Sequence, residues 1–171
     1  MLKKIGVTAK PVLTDQDINS VEGIILPGGE STTIGKLLRR YGLVEVLQKF
    51  SKSGKPIFGT CAGMILLAHV VQGQEKPWLD LLDITAERNA YGRQLESFEA
   101  EVDWKDGTKS PGIFIRAPKV VRLGQSIQVL AERENVPVLI QNENILAASF
   151  HPELTEDERV HRWFLNMVGK K

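Results

Sequence analysis

The chain predicts an α/β fold with a mostly parallel central sheet that gains antiparallel strands in its second half, on three observations. Apolar runs at Val21 to Leu26 and Lys55 to Phe58 end at glycine-containing loops, Pro27-Gly28-Gly29 and Gly59-Thr60-Cys61-Ala62-Gly63. Strands that stop at such loops are typical of α/β sheets. Each loop is followed by residues with helical apolar spacing, so strand, helix, strand, helix succeed one another, which requires a parallel sheet. Beyond Gln72-Gly73-Gln74 the pattern changes to short β-like runs separated by turn residues, the mark of antiparallel additions.

Taken in order, Lys3-Lys4-Ile5-Gly6-Val7 reads as a first strand and Val21 to Leu26 as a second. Ser31 is placed to cap one helix whose stripe is Ile34, Leu37, Leu38, Tyr41, Val44, Leu47 and Phe50, ended by Gly54. Lys55 to Thr60 forms the next strand, and Met64 to Ala68 begins an apolar helix that also holds His69. The later strands are Ile84 to Glu87, Phe98 to Val102, Gly112 to Ile115, Ile127 to Ala131, Val136 to Ile140 and Ile145 to Phe150. Thr155 and Glu158 have capping-box spacing ahead of a final helix with the stripe Val160, Trp163, Phe164, Met167 and Val168. One connection does not fit. A parallel crossover needs about a dozen residues or more, usually a helix, and the polar stretch from Val7 to Ile24 does not supply an ordinary one. The N-terminal crossover helix is missing, whether shortened naturally, removed by engineering or absent from the sequence as written.

With 171 residues the chain is expected to form a single domain spanning 1–171, large enough for a hydrophobic core. Twenty-two Lys and Arg oppose 21 Asp and Glu, a net charge of +1, so no global field points to nucleic acid or to an anionic membrane. One cysteine makes no internal disulfide, and no signal segment or transmembrane-length run is evident, so a reducing cytoplasm is the expected compartment. There is no zinc spacing, EF-hand or Walker loop, so neither a metal nor a cofactor is expected.

That cysteine lies between glycines, after a strand and before a helix, in the form of a nucleophile elbow. Glycines suit a strained strand-to-helix turn, and the helix N-terminus favours a thiolate. A cysteine nucleophile also needs a base and a group to orient it. Of the three histidines, His69 and His161 fall in helical stretches and read as structural or surface residues. His151 follows the strand Ile145 to Phe150 and precedes Pro152-Glu153, which sets a carboxylate two residues from a strand-end imidazole. Each feature has a plainer explanation: a buried cysteine acting as a small hydrophobe, and a solvated histidine at a strand end.

Five segments in order make the pattern specific: Pro27-Gly28-Gly29-Glu30-Ser31-Thr32-Thr33, Gly59 to Gly63, Arg88-Asn89-Ala90-Tyr91-Gly92-Arg93-Gln94, Phe114-Ile115-Arg116-Ala117-Pro118 and Phe150-His151-Pro152-Glu153-Leu154-Thr155. From about Val21 onward the chain resembles the class I glutamine amidotransferases, and more narrowly the glutaminase subunits of pyridoxal 5′-phosphate synthase, the PdxT/SNO family. The resemblance implies a flavodoxin-like three-layer fold and hydrolysis of L-glutamine to glutamate and ammonia through a cysteinyl thioester. It implies Cys61 as nucleophile, His151 as base and Glu153 as its orienting carboxylate, with oxyanion donors at Gly29 and Ala62. Gly28, Gly29, Glu30, Arg88, Ile115 and Arg116 would border the glutamine site. The implied partner is the (β/α)8-barrel synthase subunit, in a hetero-oligomer, to which the ammonia passes. The family's first strand normally leads into a Gly-Leu-Gln-Gly-like loop, whose glutamine is thought to help form the oxyanion site on docking; this chain has Val7-Thr8-Ala9-Lys10 there. Two alternatives stay open: a glutaminase serving another acceptor, and a docking module that binds the synthase without hydrolysing glutamine.

Overall fold

The structure is a computed structural model that describes residues 1–90 and 97–169. The elements run α1 (Asp15–Asn19), β1 (Ile24–Leu26), α2 (Ser31–Arg40), α3 (Leu43–Lys52), β2 (Ile57–Thr60), α4 (Ala62–Leu67), β3 (Ala68–Val71), β4 (Leu82–Glu87), β5 (Ser97–Trp104), β6 (Lys109–Ile115), β7 (Lys119–Leu123), β8 (Gln128–Arg133), β9 (Val136–Asn142), β10 (Ile145–Ala148), a 3-10 turn at Pro152–Leu154, and α5 (Arg159–Gly169). Among the described residues the main sheet has seven strands in the order β1-β2-β10-β9-β8-β5-β6. β2 pairs in parallel with both β1 and β10. β9, β8, β5 and β6 continue the sheet antiparallel. A small sheet, β3-β4-β7, lies beside it.

The parallel strands are buried on both faces because layers cover both. Ile57, Ile145 and Ala147 join the cluster with Leu47 and Phe50 of α3 and Met64 of α4. Their neighbours in sequence, Phe58, Leu146 and Ala148, point the other way into a cluster with Val160 and Phe164 of α5. This period-two alternation between two apolar layers gives the three-layer α/β architecture expected from the sequence. Phe58 is fully enclosed, and truncating such a side chain to alanine costs about 3–5 kcal/mol.

Local expectations fail in instructive places. Lys3 to Val7 is not a strand: Lys4 N–H donates to Met1 O at 2.8 Å and Val7 N–H to Leu2 O at 3.0 Å, with Gly6 left-handed at φ 78°. Without a crossover to bring it beside β1, the run closes on itself as a turn. Among the described residues no strand precedes Ile24, and α1 is a five-residue helix capped by Thr14 and Asp17. The single helix expected from Ser31 to Phe50 is two, because Gly42 adopts φ 67° after Tyr41 and re-aims the chain. Ser31 does not cap α2; it is buried inside the helix, and Glu30 caps instead. The helix after the elbow stops at Leu67, so His69 lies on a strand, β3. Ahead of α5 the cap is Asp157, whose carboxylate accepts from Arg159 N–H at 2.8 Å, while Glu158 pairs with Arg162 one turn on.

Candidate active site

The elbow is built by the closeness of three backbones. Gly59 on β2 packs against the backbone of Gly63, and Gly63 on α4 packs against the carbonyl of Leu26 on β1, so a Cβ at either would fall on main-chain atoms. The glycines therefore serve close approach of helix to strands. The unusual conformation belongs to Cys61 itself, at φ 49° and ψ −103°. A non-glycine residue held there stores on the order of 1–3 kcal/mol, sustained by its surroundings. Two contacts supply that hold: Cys61 N–H donates to Ala148 O of β10 at 2.8 Å, and Sγ–H donates to Ile115 O at 3.6 Å.

The candidate base, His151, arrives from the end of β10. His151 N–H donates to Ile113 O at 2.8 Å, so the end of strand β6 holds Cys61 and His151 through carbonyls two residues apart. Pro152 opens the 3-10 turn that folds Glu153 back, placing Oε1 2.8 Å from Nδ1 of His151. With Nδ1 engaged there, Nε2 is the nitrogen left for Cys61. The hydrogen bond to Cys61, then that to Glu153, raise the His151 pKa from 6.5 to about 9 against the opposing effect of burial. Burial works to raise the Glu153 pKa, but the bond to His151 and its charge outweigh it, so the carboxyl sits below its ordinary 4.5. An imidazolium flanked by a carboxylate and a cysteine is the arrangement a thiolate nucleophile requires.

The loop after β1 forms the facing wall. A Cβ on Gly28 would fall on the His151 ring, so Gly28, expected to border substrate, is first the seat of the imidazole. Gly29 takes φ 145°, and Ala62 occupies the first turn of α4, where helix N–H groups lack intrahelical acceptors. Glu30 accepts from Thr32 N–H at 3.1 Å and Thr33 N–H at 2.6 Å. Bonds from Thr33, then Thr32, hold its pKa down at about 2. Arg88 reaches across from the end of β4 to Glu30, at 3.3 Å, and donates to Thr32 Oγ1 at 3.2 Å. Arg116, exposed beside Ile115, has φ 43°. Tyr91 to Gln94 of the Arg88 motif lie outside the described residues.

His69 is away from this chemistry, solvent-facing and paired with Asp80 at 2.6 Å. His161 is not a surface residue: it is 3% exposed, its ring edge-on to Phe58 at 6.0 Å. Among the described residues no group of three or more His, Cys, Asp and Glu is gathered to hold a metal ion, and no helix is long and apolar enough to cross a membrane.

Comparison with known proteins gives the family of the chain. The SNO glutamine amidotransferase family matches residues 1–170. The chain belongs to that family. It is 52% identical over 169 residues to pyridoxal 5′-phosphate synthase subunit PdxT of Brevibacillus brevis, covering 98% of this chain and 88% of the relative. The PdxT subunit of Thermosipho africanus is 50% identical, with 99% and 91% covered. A crystal structure of a glutamine amidotransferase superposes with a TM-score of 0.94 at 47% identity, covering 98% of this chain and 90% of that one. PurLQS from Thermotoga maritima shares the fold at TM-score 0.73 and 19% identity, with 96% and 88% covered. The flavodoxin-like amidotransferase fold expected from the sequence is thus the fold of this family member.

Proposed function

We propose that this chain is the glutaminase subunit of a pyridoxal 5′-phosphate synthase, acting as one domain in the cytoplasm and passing ammonia to the (β/α)8-barrel subunit of a hetero-oligomer. The observation that carries the reading is the grip of β6 on Cys61 through Ile115 O and on His151 through Ile113 O, with Glu153 on the far ring nitrogen. The names of the PdxT relatives support the assignment of the partner.

The Cys61 thiolate adds to the γ-carboxamide carbon of glutamine, and the electron pair moves to oxygen. Backbone N–H groups of Gly29 and Ala62 receive that charge; one such donor is worth roughly two to three decades in rate. His151 then gives its proton to the departing nitrogen, releasing ammonia and leaving a thioester. The now neutral ring removes a proton from water, which attacks the thioester and frees glutamate and the thiolate. Glu153 keeps the ring oriented through both halves. Arg88 is the cation suited to the substrate's α-carboxylate, presented by Glu30.

One observation favours a second reading, a docking module without turnover: among the described residues no strand precedes Ile24, so the wall the family builds after its first strand is not formed there. Glutamate release from glutamine, with and without the synthase and against a Cys61→Ala control, separates the two. The glutaminase reading expects release that depends on Cys61 and rises with the synthase. Co-purification with the synthase and no glutamate above the control would sink it in favour of docking.

A further inference from the structure

One short segment ties together three helices around the site. Pro77 to Leu81 crosses the end of α4, the helix that follows Cys61: Leu79 N–H donates to Leu66 O at 3.0 Å and Leu81 N–H to Leu67 O at 2.9 Å. The carbonyl of Leu79 accepts from Gln48 Nε2 of α3 at 2.8 Å, and that of Pro77 accepts from the Arg39 guanidinium of α2 at 2.8 Å. Among these bonds stands Trp78. Its ring lies against the backbone of α2 at Gly35, where a Cβ would fall 2.1 Å from a ring carbon, and the Arg39 guanidinium covers it at 4.3 Å from the ring centre. The indole N–H is buried and has no hydrogen-bond partner among the described residues. A buried tryptophan usually finds one, so this place uses the flat ring and not its polar edge. The same turn of α2 carries the facing wall of the site. Ile34, next to Gly35, sets Cδ1 3.3 Å from where a Cβ of Gly29 would lie, and its N–H donates to Glu30 O at 3.0 Å.

We infer that Trp78 is a positioning residue for the glutamine site: wedged between the elbow helix α4 and Gly35 of α2, it sets where Gly29 and Glu30 stand relative to Cys61. The inference deepens the glutaminase reading and rests on it. Cys61 leads into α4, and Gly29 with Glu30 leads into α2, so the spacing of the two helices is the spacing of nucleophile and wall. A close-packed interior transmits displacement because it has few voids to absorb it. Truncating Trp78 lets α2 settle toward α4, and a methyl on Gly35 pushes it away. Both changes move Gly29 and Glu30. Cys61 and His151 stay, because β10 and β6 hold them through Ala148 O, Ile115 O and Ile113 O.

The test reads kcat/KM for glutamine in the synthase complex beside the rate at which iodoacetamide alkylates Cys61, which needs the cysteine and His151 but neither Gly29 nor Glu30. Displacement of a catalytic group by about 1 Å costs on the order of 10²-fold, so Trp78→Ala and Gly35→Ala should each lower kcat/KM about tenfold or more and leave alkylation within about twofold. Trp78→Phe keeps a flat ring and should stay within about threefold of wild type. Trp78→Leu added to Gly35→Ala makes room for the methyl and should recover most of the loss, the non-additivity expected of residues in contact. Wild-type kcat/KM in Trp78→Ala or Gly35→Ala, an equal fall in alkylation, or a double variant slower than Gly35→Ala would overturn the inference. A merely structural role lowers the melting temperature and moves none of these rates. Should neither single variant fold, the exposed change Arg39→Ala decides: kcat/KM should fall about threefold or more with alkylation unchanged, and a wild-type value counts against the wedge. Should the wild-type complex release no glutamate, the glutaminase reading fails by itself. Calorimetry of glutamine binding to the Cys61→Ala chain then decides the role of Trp78: adding Trp78→Ala must weaken binding about tenfold, and equal affinity or no binding overturns it.

Discussion

The end of β6, which holds both Cys61 and His151, and the N-terminal 23 residues are made in opposite ways. Strand β6 is locked by a seven-residue antiparallel register with β5, from Ser97↔Ile115 to Asp103↔Lys109. From that support it offers two carbonyls, one to Sγ of Cys61 and one to the backbone of His151. The N-terminal stretch has a turn at Lys3 to Val7, a five-residue helix, and an exposed ion pair between Lys4 and Glu156. Ile18 anchors α1 in the core, but the turn before it rests on solvent-exposed groups. The contrast teaches that the triad is assembled by long-range sheet pairing after Ile24 and does not wait on the segment before it.

The hardest blow to one side of this comparison is His151→Asn, which removes the base while leaving the β6 carbonyl its backbone donor. Glutamate release should fall by roughly three orders of magnitude or more, whereas His69→Asn, on the exposed β3 pair, should retain most activity. Equal losses at 69 and 151 would mean that the base has been misassigned. Next in size is a pair of glycine substitutions. Gly28→Ala pushes a methyl into the His151 ring, and displacement of a catalytic group by about 1 Å costs on the order of 10²-fold in rate. Gly6→Ala meets no atom but strains a left-handed residue, so it should lower stability by about 1 kcal/mol and leave kcat intact. Activity that survives Gly28→Ala, or fails in Gly6→Ala, would reverse the ranking of the His151 seat and the N-terminal turn.

The grouping of Cys61, His151 and Glu153 was legible in the sequence because its signals are local: the chain's single cysteine between glycines, and His151 two residues from Glu153. The parallel core was legible because apolar runs ended at glycine loops. What could not be read is carried by groups that leave no side-chain signal. The carbonyls of Ile113 and Ile115 could belong to any residues, and the seat at Gly28 appears only when β1 and β10 flank β2 in the sheet. The break at Gly42 was hidden because the apolar stripe keeps its phase from Tyr41 to Val44. Strand β3 was lost to the ambiguity of short apolar runs, and β7 to its mixed Lys119-Val120-Val121-Arg122-Leu123 pattern. His161, expected to be structural or surface, lies one turn before Phe164 on the buried face of α5, so it is structural and not surface. Polarity in an apolar stripe was the available clue.

The comparison is sharpened last by pH. His151 is raised from 6.5 to about 9 by its bonds to Cys61 and Glu153, so the charged pair contributes stability that is full below about pH 6.5 and is lost as pH rises through about 9. The N-terminal pair is silent over that span, since Lys4 is raised above 10.5 and Glu156 lowered below 4.5. An alkaline limb in kcat/KM near pH 9 therefore reports His151 and not the N-terminal pair. Glu153→Gln removes one of the two raising bonds and should move the limb toward neutral pH, by about one unit on the scale of a single charge-assisted partner. Lys4→Ala should leave the limb in place. A limb that moves with Lys4→Ala and ignores Glu153→Gln would make the N-terminal turn part of the catalytic wall after all.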